Sequence, residues 1–124
     1  MKTIALFLAT LAVAAPQFAT AQDAATIARG RAQFARCQAC HSTGTGPARI
    51  GPSLKAILDR PAGKQPGFRY TPNMAAARFN WSADKLDAFL AKPRAVVPGT
   101  SMVFAGMPDA ASRAALIAYL ATQR

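Results

Sequence analysis

The chain has 124 residues, enough for one small domain and too few for two. Its 52% apolar and 16% charged residues exclude a disordered chain, and its single His excludes any site needing two imidazoles, including most zinc enzymes and the Cys2His2 finger. Fifteen Lys and Arg against five Asp and no Glu give a formal charge of +10 and an isoelectric point near 10.9, which points to an acidic partner.

The first segment reads as an export signal. Met1-Lys2-Thr3 is a short basic start, Ile4 to Ala15 is apolar except for Thr10, and Pro16 breaks the run. Ala19-Thr20-Ala21 then supplies the small residues of a cleavage site. As a helix the apolar run spans about 18 Å, short of a roughly 30 Å hydrocarbon core, which disfavours stable membrane insertion. Residues 1–21 are therefore expected to be removed, leaving residues 22–124 as the working domain in the periplasm. Loss of Lys2 lowers the charge from +10 to +9.

An Ala-rich stretch follows, with Asp23 placed to cap a helix through about Arg36 and with Ile27 and Phe34 on one face. Next come Cys37 and Cys40, with His41 directly behind. An oxidising compartment makes a disulfide the default, but so short a loop gains little from a crosslink. A redox C-x-x-C pair belongs beside a βαβ pattern, and nothing upstream reads as a strand. A structural zinc site needs four ligands, and thiols plus imidazole give only three here. Cys37-Gln38-Ala39-Cys40-His41 is instead the C-x-x-C-H signature for covalent haem attachment. Positions i, i+3 and i+4 share one face of a helical turn, so two thiols and one imidazole can address a single group.

Nine of the 17 Gly and Pro lie between Gly44 and Gly67, which makes that region loop with at most a short helix near Ser53 to Leu58. Ser82 can cap a helix running to Ala91, with Leu86, Phe89 and Leu90 inward and Pro93 as its stop. Pro98 to Gly106 is a loop that can project Met102, although a Met filling a core gap is the plainer reading of that residue alone. Asp109 can cap a last helix, with Leu116, Tyr119 and Leu120 at helical spacing. No internal repeat or alternating strand pattern is present, so the expected fold is all-α.

Cys-Gln-Ala-Cys-His, Gly51-Pro52-Ser53-Leu54, Gly63 to Tyr70, Trp81 and Pro98 to Gly106 occur in that order. Together they resemble class I cytochrome c of the mitochondrial and bacterial cytochrome c2 type, over about Gly30 to Tyr119. The resemblance implies a cytochrome c fold of short helices and long loops wrapped around one covalently bound haem. It implies thioethers at Cys37 and Cys40, axial iron ligation by His41 and Met102, and a Pro52 carbonyl that accepts the other His41 N–H. Arg60, Tyr70, Trp81 and Thr100, with Thr71 less strongly, are implied as partners of the haem propionates, and Gly30 as the point where the first helix passes beneath Tyr119. Two positions depart from the pattern. Met74 stands where much of the family has Asn, and Phe89 where many members have Tyr.

With His and Met on iron no coordination position is open to a substrate, which implies an electron carrier and not an enzyme. It would move single electrons between respiratory or photosynthetic proteins as a monomer. Arg36, Arg49 and Arg94 are expected near the haem edge, with Lys55, Lys85, Lys92 and Arg113 less certainly placed. They would steer transient docking to acidic electron-transfer proteins or membrane redox complexes, whereas export and the scatter of basic residues weigh against nucleic acid. A dedicated haem subunit of an oxidase or dehydrogenase stays open, as does a haem sensor or enzyme with a labile Met ligand.

Overall fold

The computed structural model describes residues 17–124, with side-chain surroundings from Asp23 onward. The expected signal segment, 1–21, lies mostly outside the described residues. Five helices follow one another: α1 (Gln17–Phe34), α2 (Pro72–Ala75), α3 (Ala83–Ala91), α4 (Pro93–Val96) and α5 (Ala110–Ala121). Among the described residues there is no strand, only an isolated antiparallel bridge between Pro61 and Asn80. The fold is all-α.

Two of the three expected caps are present. Ser82 accepts from the Lys85 N–H at 3.1 Å, and Asp109 Oδ2 accepts from the Ser112 N–H at 2.7 Å, so each satisfies a first-turn amide. Asp23 does not cap. Helix α1 runs through it from Gln17, because no breaker lies between Pro16 and Asp23 to stop a helix of Ala, Gln and Thr. The short helix allowed near Ser53 to Leu58 is also absent. Ser53 Oγ donates to Gly44 O at 2.6 Å and accepts from Lys55 N–H at 3.2 Å, and Ala56 is left-handed at φ 50°. Bonds from Ala56 N–H to Gln123 O and from Asp59 N–H to Trp81 O hold Ala56 and its left-handed neighbour Asp59. The single turns α2 and α4, each opened by a Pro, were not expected from periodicity, which a four-residue helix is too short to show.

The core is built around α5, which packs against α1 and, separately, against α3. Leu86, Phe89 and Leu90 of α3 are buried, as are Leu116 and Leu120 of α5 and Phe34 of α1. Helices α1 and α5 cross at Gly30, where an added Cβ would collide with the Ala115 carbonyl and press on Tyr119 Cβ. The glycine is thus the condition for that crossing, and the Phe34 and Tyr119 rings pack beside it at 5.5 Å. Arg113, one of the cations with uncertain placement, is committed to structure. Its guanidinium pairs with Asp87 of α3 at 2.7 Å and donates to the carbonyls of Met107 and Pro108. That clamp joins α3, α5 and the end of the preceding loop, which removes Arg113 from the set free to meet a partner.

Gly30→Ala should lower stability by about 1–3 kcal/mol, because overpacking at the crossing outweighs the helix-propensity gain of about 1 kcal/mol. The midpoint of guanidinium unfolding reads this directly, and an unchanged or raised midpoint would show the crossing to be compliant.

Candidate haem site

Helix α1 ends at Phe34, and the chain continues in a tight turn before reversing at His41. The N–H groups of Cys40 and His41 both bond to Cys37 O, at 3.1 and 2.9 Å, so the C-x-x-C-H segment is itself one helical turn. The two cysteines are free and half-buried. Burial pushes the Cys37 thiol up against the opposing pull of Arg36, the reverse of what a reactive redox thiolate requires.

His41 is fixed from two sides. Its Nδ1–H donates to Pro52 O at 2.8 Å, which leaves Nε2 as the ring nitrogen with a free lone pair. Gly51 lies against the ring so closely that any Cβ there would strike it. The segment carrying Gly51 and Pro52 is pinned in turn, by Gly51 N–H to Cys40 O at 2.8 Å and Leu54 N–H to Ser42 O at 2.8 Å. Burial lowers the His41 pKa below 6.5, with the Pro52 bond opposing.

His41 opens into a cleft of about 230 Å³ whose walls come from six stretches of chain. Cys37, Cys40, Pro52, Arg60, Tyr70, Trp81, Thr100 and Met102 line it as well, so the nine residues expected to hold the haem reach the same space. The other walls are apolar: Leu54, Ile57, Phe68, Met74, Leu86, Phe89, Leu90 and Phe104. Trp81 meets Phe79 and Phe89 edge-on at 5.0 and 4.9 Å, so Phe89 serves here as an aromatic wall. Met74 is 8% exposed, part of the core as well as of the lining.

The polar groups are few and differ in how far they are spent. Arg60 donates to Ser53 O at 2.9 Å and Lys55 O at 3.0 Å, so part of its fork braces the 53–55 turn. Burial pushes the Tyr70 hydroxyl pKa up, keeping it a neutral donor, while the Gln65 amide and the Arg60 charge pull the other way. Thr100 Oγ1 accepts weakly from Met102 N–H at 3.3 Å, which leaves its proton available. Thr71 Oγ1 is buried with no partner among the described residues. An orphaned hydroxyl in a cleft calls for a polar ligand group.

These observations fit a haem. The donor set supplies two thiols, one oriented imidazole and one thioether, and the remaining hydroxyl and guanidinium donors suit buried carboxylates. The fold and site therefore define an all-α protein built around a covalently bound haem.

Comparison with known proteins agrees. The Cytochrome c family model matches residues 27–124. The chain is 40% identical over 106 residues to cytochrome c2 of Rhodomicrobium vannielii, covering 85% of each chain. It is 42% identical over 87 residues to cytochrome c2 iso-2 of Magnetospirillum fulvum, covering 70% of this chain and 91% of the relative. The solved structure of cytochrome cH from Methylobacterium extorquens superposes with a TM-score of 0.73 at 35% identity, covering 77% of this chain and 97% of that one. The chain belongs to the cytochrome c family, in its class I, c2-type branch. It carries one covalently bound c-type haem and is an electron-carrier cytochrome, not an enzyme. No helix among the described residues is long and apolar enough to cross a membrane.

Two features of the cleft escaped sequence reasoning. Ile50 and Val103 line its mouth while remaining 77% and 97% exposed. Their only signal was position, Ile50 just before the Gly51-Pro52 pair and Val103 inside the Pro98–Gly106 stretch. Of the basic residues expected at that mouth, Arg36 lines it and Arg49 adjoins Ile50, its Nη1 donating to Gln38 O at 2.9 Å. Arg94 is exposed on α4 and does not line the cleft.

The lowered Asp109 pKa sets a pH dependence. Its hydrogen bonds with Ser112 hold the carboxyl below 3.8 in the folded chain, so stability falls as pH drops through that value and the cap bond disappears on protonation. Denaturant midpoints measured from pH 6 down to pH 3 should decline in this window. A flat profile there would contradict a cap made by the ionised Asp109.

Proposed function

We propose that the chain is an exported one-electron carrier in which Cys37 and Cys40 hold the haem through thioethers and His41 and Met102 are its axial ligands. The observation that carries this reading is the convergence of all nine sequence-derived site residues on one cleft, with His41 oriented by Pro52. When bound, the haem supplies an Fe(II)/Fe(III) couple.

The residues divide the work. Cys37 and Cys40 prevent loss of the group in the periplasm, where an exchangeable cofactor would be diluted away. The Pro52 carbonyl raises the basicity of the His41 ring and fixes its rotation. Met102 would hold the iron together with His41, which would leave oxygen and peroxide without a place to bind. Met74 packs in the core. Arg60, Tyr70, Trp81, Thr100 and Thr71 offer donors to the propionates, whose charge would otherwise be costly away from water.

At the mouth of the cleft, Ile50 and Val103 give a small apolar contact with Arg36 and Arg49 beside it. Such a surface favours brief docking of acidic respiratory or photosynthetic electron-transfer proteins, steered by charge over the last stretch of approach. Cleavage after Ala21 would free residues 22–124 to diffuse as a monomer between them.

Met102→Ala should abolish the red-region iron–sulfur absorption band of the ferric protein, and Met74→Ala should leave it in place. The opposite pattern would reassign the ligand. Electron transfer with an acidic partner should slow steeply as salt is raised from low to physiological ionic strength, because the Debye length shrinks to about 8 Å. A rate indifferent to salt would remove the steering role.

A further inference from the structure

The segment from Pro98 to Gly106 carries Met102 but is tied down unevenly. Its C-terminal end is well anchored, by Met107 N–H to Leu90 O at 2.8 Å and by Arg113 Nη1 to Met107 O and Pro108 O at 2.7 and 2.8 Å. At the other end, one side chain from elsewhere in the chain holds it among the described residues. Asn73 Nδ2 donates to Pro98 O at 2.6 Å, across 25 positions. Pro98 has no N–H, so its carbonyl is the corner's one backbone handle at that residue. The chain turns there through Gly99 at φ 74°, and a Cβ on Gly99 would sit 3.6 Å from the Asn73 amide nitrogen.

Asn73 does not line the cleft. It stands in α2 between residues that do, Thr71 just before the helix and Met74 within it. Its amide thus joins two parts of the cleft wall that are distant in sequence. We propose that Asn73 is a positioning residue for Met102, a latch that keeps the 98–106 segment closed over the cleft. The inference rests on Met102 as an iron ligand. Releasing the latch loosens one end of the segment, leaving the local bonds Val97 N–H to Pro93 O and Thr100 N–H to Val97 O there, while Leu90 and Arg113 retain the other, so the segment opens more easily without the fold being lost.

The test is a titration of the purified ferric holoprotein with imidazole, a small ligand that competes with Met102 for iron. Opening is part of that binding equilibrium, so easier opening appears as tighter apparent binding. Asn73→Ala and the near-isosteric Asn73→Asp, whose ionised carboxylate can only accept, should each tighten imidazole binding about threefold to tenfold, the effect of one hydrogen bond. Both should keep the iron–sulfur band when imidazole is absent. Lys64→Ala is the control, since it removes an equally short bond to the same turn, Nζ to Ala75 O at 2.6 Å, without touching the Pro98 corner. It should leave imidazole binding unchanged. Unaltered binding in both Asn73 variants, or equal tightening in Lys64→Ala, overturns the latch. Met102→Ala separates the two levels. If the band survives in that variant, the ligand assignment and the latch fall together. If it is lost while Asn73 variants bind imidazole like the parent, the latch alone falls.

Discussion

The bond from His41 Nδ1–H to the Pro52 carbonyl, at 2.8 Å, is the contact on which the rest of the site depends. It selects the tautomer, sets the ring plane and couples the C-x-x-C-H turn to the next loop. A proline supplies a carbonyl without a competing N–H, and the glycine before it lets that carbonyl come close enough. The same loop then threads through Leu54 N–H to Ser42 O and the Arg60 bonds to Ser53 and Lys55. Orientation of one imidazole is thereby distributed over some twenty residues of otherwise irregular chain.

Irregular chain on that scale is unusual inside a small domain, because loops cannot normally bury enough apolar surface to hold themselves. Here residues from Ile50 to Arg60 and from Thr100 to Phe104, drawn from two such loops, line a shared apolar cleft. The helices supply the rigid part. α1 and α5 cross through Gly30, α3 lies across α5, and Arg113 locks both to the end of the Met102 segment. A large apolar group in the cleft completes a core that the polypeptide alone leaves open.

Much of this was legible in the chain because the decisive features are local. A C-x-x-C-H turn, a Gly-Pro pair, Ser and Asp caps before apolar helical spacing, and a Pro-Gly-bounded Met all act within a few residues, and each stands where it was expected. The misreadings have equally local causes. Asp23 carries a capping side chain, but in the uncleaved chain a helix-permissive stretch before it makes the cap unnecessary. Ser53 to Leu58 has adequate helix propensity, yet a Ser53 turn and a left-handed Ala56 are imposed by contacts with Gly44 and Gln123, distant in sequence. Arg113 looked like any surface cation until Asp87, 26 positions away, was brought to it.

That fate of Arg113 bears on how net charge should be read in such a protein. A count treats every cation as available for long-range attraction, but a guanidinium bonded to a carboxylate and two carbonyls contributes to the far field only what its partner does not cancel. Lys64 and Arg60 are likewise drawn toward backbone carbonyls, although these neutral acceptors leave their charge in place. What distinguishes Arg36 and Arg49 is location beside exposed apolar side chains, where a partner displacing water from Ile50 and Val103 would strengthen nearby charge interactions. The excess of basic residues sets the sign of the attraction. Under the proposed docking role, the few at the cleft mouth would set where that attraction acts.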